Sequence, residues 1–404
     1  MTFLLSSQNA AEYLVEHGIY TQEEQALSQV EPKLAKNFNL LLSLPGGRKL
    51  LIKQEPYDLD GKTAGEFLRE WRIHEFLQRF PELSYLSSWL SEALHFEAEH
   101  SIIVFNYLDN YRDLTDFYAK ENIFPTEIAT TIGAVLASIH RLTLDRQDHW
   151  EFFSQNSQDG VFNQASNLKR ELERIGPEVF GQVPDDGLKF FALYQRYDSL
   201  GKAIAELGTA FEACCLTHND LKLNNILLSI DWQQAVSQAE RTAPDSPEVQ
   251  ENLEDRIIRV IDWERSSWGD PAYDLGMLIA SYLGIWLGSL VFNRSIGIEE
   301  GLRLTMTPLE LLQPSIVALT STYFQNFPAI LERRPDFLRR VMQFSGLALI
   351  QVIQSMLQYQ KSFDNTGICL LQVAKSLLCR PEASIRTVFG IEESELTRRM
   401  YSPI

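Results

Sequence analysis

No hydrophobic run in this 404-residue sequence is long and unbroken enough to read as a membrane span. The most apolar stretch, Leu275 to Phe292, is interrupted by Gly284, Gly288 and Ser289 and reads as a core helix. The N-terminus lacks the basic start and long apolar region of a secretory leader, so the expected location is cytoplasmic. Cysteine is scarce: four residues and no Cys-x-x-Cys. Cys214 and Cys215 are neighbours while Cys369 and Cys379 stand far off, which argues against zinc and for buried free thiols. Positive charge is also in short supply. With 36 Lys and Arg against 54 Asp and Glu, the formal net charge is −18, which disfavours nucleic acid and anionic membranes as partners. What is present is ordinary globular composition, 45% hydrophobic and 22% charged, with length for two or three domains and a sizeable core.

The informative stretch runs from Cys214 to Leu228. Apolar residues Ala213 to Leu216 predict a short buried strand, and Ile226-Leu227-Leu228 a second. The polar residues between them therefore lie on a loop held by two strands, a fixed platform for chemistry. Within it, His218-Asn219-Asp220 followed by Asn225 is the His-x-Asp-x-x-x-x-Asn order of phosphoryl-transfer loops. Asp220 is suited to accept the proton of an attacking hydroxyl, and Asn225 to offer a carbonyl oxygen to Mg²⁺. Lys222 adds a cation beside the transferred group, and His218 braces the loop.

About forty residues on, Arg259-Val260-Ile261-Asp262-Trp263-Glu264 is another apolar strand ending in a carboxylate, followed by Gly269-Asp270-Pro271-Ala272-Tyr273-Asp274-Leu275-Gly276. Asp262 stands where such enzymes keep the carboxylate that holds magnesium against nucleotide phosphates. Asp274 opens a helix and is expected to be a buried acceptor for backbone amides of the catalytic loop. In order and spacing these motifs resemble the aminoglycoside phosphotransferase and choline kinase-like family. The commonest form in that family has Gly where Asn219 stands, whereas choline and ethanolamine kinases have Asn. Lys222 is reminiscent instead of the Asp-Leu-Lys of Ser/Thr protein kinases.

The resemblance, over about residues 25 to 360, implies an α+β, two-lobed protein-kinase-like fold with a small β-rich N-lobe and a large helical C-lobe. It implies residues 1–105 as the N-lobe, 106–112 as the hinge and 113–404 as the C-lobe. The C-lobe then contains the catalytic loop 216–228, an acidic excursion 231–256 and the metal-binding segment 259–276. A hairpin is expected from Asn37–Leu44, a Pro45-Gly46-Gly47-Arg48 turn and Lys49–Gln54. Lys53 ends its second strand, where the family keeps the lysine that pairs with ATP phosphates. No Gly-x-Gly-x-x-Gly precedes the hairpin, and Asn37 is the candidate at that bend. An amphipathic helix over residues 62–80 offers Glu70, with Glu75 as runner-up, to fix the lysine. Backbone groups around Asn106 to Leu108 are expected to read the adenine edge.

Residues 8–18 and 128–141 also show helical spacing, with His140 as a helix-end packing residue. Residues 142–165 are polar and irregular. Residues 165–175 and 188–207 are helical insertions that in this family help form the acceptor pocket; Asp185 and Asp186 could contact a cation there, but a solvated loop is the preferred reading. The chemistry implied is transfer of the ATP γ-phosphoryl, with Mg²⁺, to a hydroxyl of a small molecule. The negative charge favours a cationic one, such as an amine or aminoglycoside. Alternatives are a peptide Ser/Thr kinase of modified-peptide biosynthesis and a non-catalytic nucleotide-binding scaffold. The intact Lys53, Asp220, Asn225 and Asp262 argue against the scaffold.

Overall fold

The structure, a computed structural model, describes residues 3–25, 29–33, 36–154, 163–173, 185–242, 257–291 and 298–401. The chain divides into two compact units, each discontinuous in sequence. The first comprises Met1–Phe117 and Asn224–Ser266, the second Tyr118–Leu223 and Ser267–Ile404.

The first unit is built on a five-stranded antiparallel sheet. Its strands are β1 (Gln29–Lys33), β2 (Phe38–Ser43), β3 (Lys49–Gln54), β4 (Ala93–Glu97) and β5 (Ile102–Asn106), in the order β1-β2-β3-β5-β4. The expected hairpin is β2–β3, with Leu41 opposite Leu51 and Asn39 opposite Lys53. Period-two alternation sends the two faces to different cores. Leu40, Leu42, Leu50, Ile52, Ile102 and Val104 pack on Ala10, Tyr13 and Leu14 of the N-terminal helix Ala10–Glu16. Ile103 and Phe105 pack with Phe67 of the helix Glu66–Arg79, with Leu51 against them. Lys53, two residues from Leu51, therefore leaves β3 on the side of that helix.

A second, three-stranded sheet explains why 224–266 groups with the first unit instead of with the helical lobe, as sequence order suggested. β6 (Tyr111–Asp113) pairs with β8 (Ile226–Ser229), which pairs with β9 (Ile258–Val260). Part of the stretch expected as an acidic excursion is a helix, Trp232–Thr242. Trp232 sits edge-on to Phe117, 6.1 Å between centroids, which anchors its start. Residues 243–256 of that excursion lie outside the described residues.

The second unit is helical apart from the antiparallel pair β7 (Cys215–Thr217) and β10 (Ser267–Gly269). Its core helices are Thr126–Thr143, Pro271–Gly288, Leu309–Asn326, Phe337–Ser355 and Asn365–Cys379. Helix Pro271–Gly288 is almost wholly buried yet amounts to no membrane span; among the described residues no helix is long and apolar enough to cross a bilayer. Two expectations are corrected here. The stretch 142–165 contains a helix, Gln147–Ser154, whose His149 and Phe153 are buried. Asp185 and Asp186 open the helix Asp185–Gln195, and Asp186 accepts from the Phe363 N–H at 2.9 Å and pairs with Lys189 at 2.5 Å. Cys214 and Cys215 are buried free thiols, as expected, whereas Cys369 and Cys379 are partly exposed.

Close packing of β10 on β7 gives a direct test. A Cβ at Gly269 would lie 2.1 Å from Thr217 Oγ1, whereas one at Gly284 would meet nothing within 4 Å. Gly269→Ala is expected to lower the unfolding free energy by about 1–3 kcal/mol. Gly284→Ala, inside a helix, should leave it unchanged or raise it by up to ~1 kcal/mol. Urea midpoints of the two variants check the pair.

Candidate phosphoryl-transfer site

Within the first unit, Lys53 Nζ donates to Asp262 Oδ1 at 2.8 Å and sits 5.2 Å from the centre of the Phe105 ring. Burial alone would lower the Lys53 pKa. The carboxylates of Glu70 and Asp262 outweigh it and hold the ammonium above its ordinary value. Asp262 follows β9 and has a left-handed backbone, φ 61°. That turn aims its carboxyl away from the strand line at a cost of roughly 1–2 kcal/mol. Asn225 is fixed beside it: Ile226 is opposite Val260, and the Ile261 N–H donates to the Asn225 carbonyl at 3.0 Å. The ends of β8 and β9 thus carry an amide oxygen and a carboxylate on adjacent backbones.

Glu70 is buried at 2% exposure on the helix Glu66–Arg79, while Glu75 bonds to the Trp71 indole N–H at 3.1 Å. Glu70, expected to hold the strand lysine in place, makes no hydrogen bond to it. Asp262 takes that hydrogen bond. Glu70 influences Lys53 through its charge, accepts from the Trp263 backbone N–H, and leaves Oε2 buried without a hydrogen-bond partner. Asn37 lies at the bend before β2, its Oδ1 likewise buried and without a partner. In the segment 106–112, expected as the hinge, the Asn106 N–H donates to Glu92 O and the Tyr107 N–H to Lys49 O. The Asn106 side chain is held by Glu92 and Arg48. Among the described residues nothing takes up the Leu108 N–H, which leaves Leu108 as the available donor there.

The second unit carries the loop acid. His218 and Asn219 follow β7, and their backbone N–H groups donate to Asp274 Oδ2 and Oδ1 at 2.7 and 2.9 Å. Asp274, fully buried, is the expected acceptor. The same carboxylate meets His140 Nε2 at 3.3 Å, and His140 Nδ1 meets the Tyr323 hydroxyl at 2.8 Å. A carboxylate only accepts, so Nε2–H donates to Asp274 and a neutral ring takes the Tyr323 proton on Nδ1. Asn219 is also left-handed, φ 62°, a conformation Gly and Asn adopt most readily. Its amide accepts from Thr217 Oγ1 at 3.1 Å and donates to Ser267 Oγ at 2.8 Å. The Asp220 N–H donates to His218 Nδ1 at 3.3 Å, and its carboxylate pairs with Lys222 at 2.7 Å. His218 is thereby the loop brace expected of it.

Two residues in this scaffold escaped the sequence reading. His140 was expected only to pack at a helix end, yet it is a hydrogen-bonding support of Asp274. Asp270 had no assigned role. It caps the helix Pro271–Gly288 through the Ala272 N–H at 3.1 Å and is bound by Arg340 at 2.5 Å and Arg334 at 3.3 Å. The signal for Asp270 was available: Asp before Pro at a helix start is a capping pattern. Nothing local to His140 announces a partner 134 residues away.

The family model for choline/ethanolamine kinase matches residues 115–285, the span that holds Asp220, Asn225, Asp262 and Asp274. Over that span, which is less than half of the chain, the sequence is similar to choline/ethanolamine kinases. The chain is a kinase for a hydroxyl-bearing acceptor, with the protein-kinase-like fold. An ethanolamine kinase of Plasmodium vivax is similar in structure, with 15% identity, a TM-score of 0.52, and coverage of 92% of this chain and 87% of that one. The aminoglycoside phosphotransferase APH(2'')-Ib, solved with ADP bound, is similar too: 14% identity, a TM-score of 0.50, and 93% and 99% coverage. No curated protein sequence matches the kinase.

Burial pushes the Glu70 carboxyl from 4.5 up to about 7, against the pull of Lys53. The folded state keeps that proton up to about pH 7, whereas the unfolded chain releases it near 4.5. Between those values the folded state binds more protons, so this group's stabilisation is full below 4.5 and is lost as pH rises through 7. Glu70→Gln should flatten that decline. Urea midpoints of wild type and variant across the interval check it; parallel curves would contradict the burial account.

Proposed function

We propose that the kinase transfers the γ-phosphoryl of Mg-bound ATP to a hydroxyl of a small, cationic molecule. The observation that carries the reading is the Lys53–Asp262 pair beside Asn225 at the ends of β8 and β9. An amide oxygen and a carboxylate are hard donors of the kind magnesium prefers, and a cation beside them suits phosphate oxygens. Asn225 and Asp262 would hold the metal, which supplies charge neutralisation as the phosphoryl leaves. Lys53, kept protonated by Glu70 and Asp262, orients the phosphates by exchanging its carboxylate partner for phosphate oxygens. The Leu108 N–H offers a donor to the adenine edge, and Asn37, on the loop before β2, an amide to the phosphates.

Asp220 accepts the proton of the incoming hydroxyl. The two amide bonds from His218 and Asn219 to Asp274 hold its loop in place, so the acid needs no reorganisation to act. Lys222, paired with Asp220 at 2.7 Å, adds positive charge near the reacting oxygens. The formal net charge of −18 supports a cationic acceptor. Ethanolamine kinase and aminoglycoside phosphotransferase as structural relatives favour an amino alcohol or aminoglycoside over a peptide.

Asp220→Asn is expected to cut turnover by about 10²–10⁴-fold while ATP still binds. Phosphate transfer to a panel of amino alcohols, aminoglycosides and Ser/Thr peptides, followed by mass analysis, identifies the acceptor. Near-normal turnover in the variant, or transfer to peptides alone, would overturn this reading.

A further inference from the structure

The second unit contains a cavity of about 330 Å³, lined by residues that the phosphoryl-transfer chemistry does not use. Its walls come from Leu283 and Trp286, near the C-terminal end of helix Pro271–Gly288, together with Leu309, Leu377 and Val388. Trp286 is twelve residues beyond Asp274 on one helix, about 18 Å along its axis, so the cavity is separate from the anchor of the catalytic loop. Its volume falls within the ~300–1,000 Å³ range of small-ligand pockets.

One wall residue is charged. Arg380 lies between helices Asn365–Cys379 and Pro381–Phe389, its side chain is exposed, and among the described residues no carboxylate or acceptor engages its guanidinium. Gln372, Ser376 and Thr387 add polar groups to the lining, whereas the side formed by Trp286, Leu283 and Leu309 is apolar. The segment entering Leu309 also exposes apolar side chains: Met306 is 77% accessible and Leu304 49%. That segment is pinned by Ser289, whose hydroxyl bonds Thr305 at 2.6 Å and accepts from the Thr307 N–H at 3.1 Å.

We propose that this cavity binds a single-chain amphiphile with an anionic head, its apolar chain against Trp286 and Leu283 and its carboxylate on the Arg380 guanidinium. The charge complementarity is specific. Arg binds carboxylates through paired N–H donors, and the apolar walls reward the chain for leaving water. A cationic amphiphile gains only the second term and meets the arginine's repulsion.

The test uses the full chain and decanoate, below its micelle concentration, titrated calorimetrically beside decanol and decyltrimethylammonium. The expected result is saturable one-site binding of decanoate, with both comparison ligands weaker. Arg380→Gln, at an exposed position that the fold does not depend on, should weaken decanoate by about tenfold or more and leave decanol unchanged. Val373→Trp, which fills the cavity from one wall, should abolish both. Equal binding of the three ligands, undiminished decanoate binding in Arg380→Gln, or no saturable binding would overturn the assignment.

Discussion

An ammonium group removed from water must find compensating negative charge, and the site depends on how Lys53 does so. Its strand position is dictated by alternation: Leu51 and Lys53 share a face, Leu51 packs against the core of Phe67, Ile103 and Phe105, and the lysine stem follows. The amine then lies against the Phe105 ring with only 13% of the side chain exposed. In such surroundings an unpaired cation would lose its proton. Asp262 supplies the hydrogen bond and Glu70 a second negative charge behind it. In the proposed function the same carboxylate that satisfies Lys53 would take the metal, so a single interaction keeps the lysine charged and would mark the place of a triphosphate with its cation.

Backbone strain and buried carboxylates do the remaining positioning. Asp262 and Asn219, each the turning residue of a motif, both have φ near 60°. Each follows a short strand whose direction would otherwise carry the next side chains onward. In the second unit the turn at Asn219 is stabilised by Asp274, itself supported by His140 and Tyr323. Asp274 therefore converts a charge that would be costly in the interior into the anchor of two loop amides. Asp270 plays an analogous part four residues earlier, where two arginines and a helix start balance it. The two carboxylates hold the beginning of helix Pro271–Gly288 to the polypeptide on either side of β7.

Much of this was legible from residues alone because the relevant signals are local. Strand, polar loop, strand predicts β7 and β8 around Asp220. The hairpin around Pro45-Gly46-Gly47 predicts β2 and β3, and with them the place of Lys53. Glu70 is preferred to Glu75 on the sequence only through its match to the family's position, since both lie on the polar face, and its burial now separates the two. What could not be read was long-range pairing. Nothing near Lys53 says that Asp262, 209 residues later, takes its hydrogen bond in place of Glu70. The grouping of 224–266 with the first unit likewise depends on β8 finding β6, a pairing set by registry between distant segments. Helix Gln147–Ser154 was missed because its polar surface masks the burial of His149 and Phe153.

Calorimetry of ATP binding with and without Mg²⁺, on wild type and Asp262→Ala, tests the central claim most directly. If Asp262 is the carboxylate that holds the metal against the nucleotide, Mg²⁺ strengthens ATP binding in wild type and the variant loses that increment. Equal strengthening by Mg²⁺ in both proteins would contradict the account.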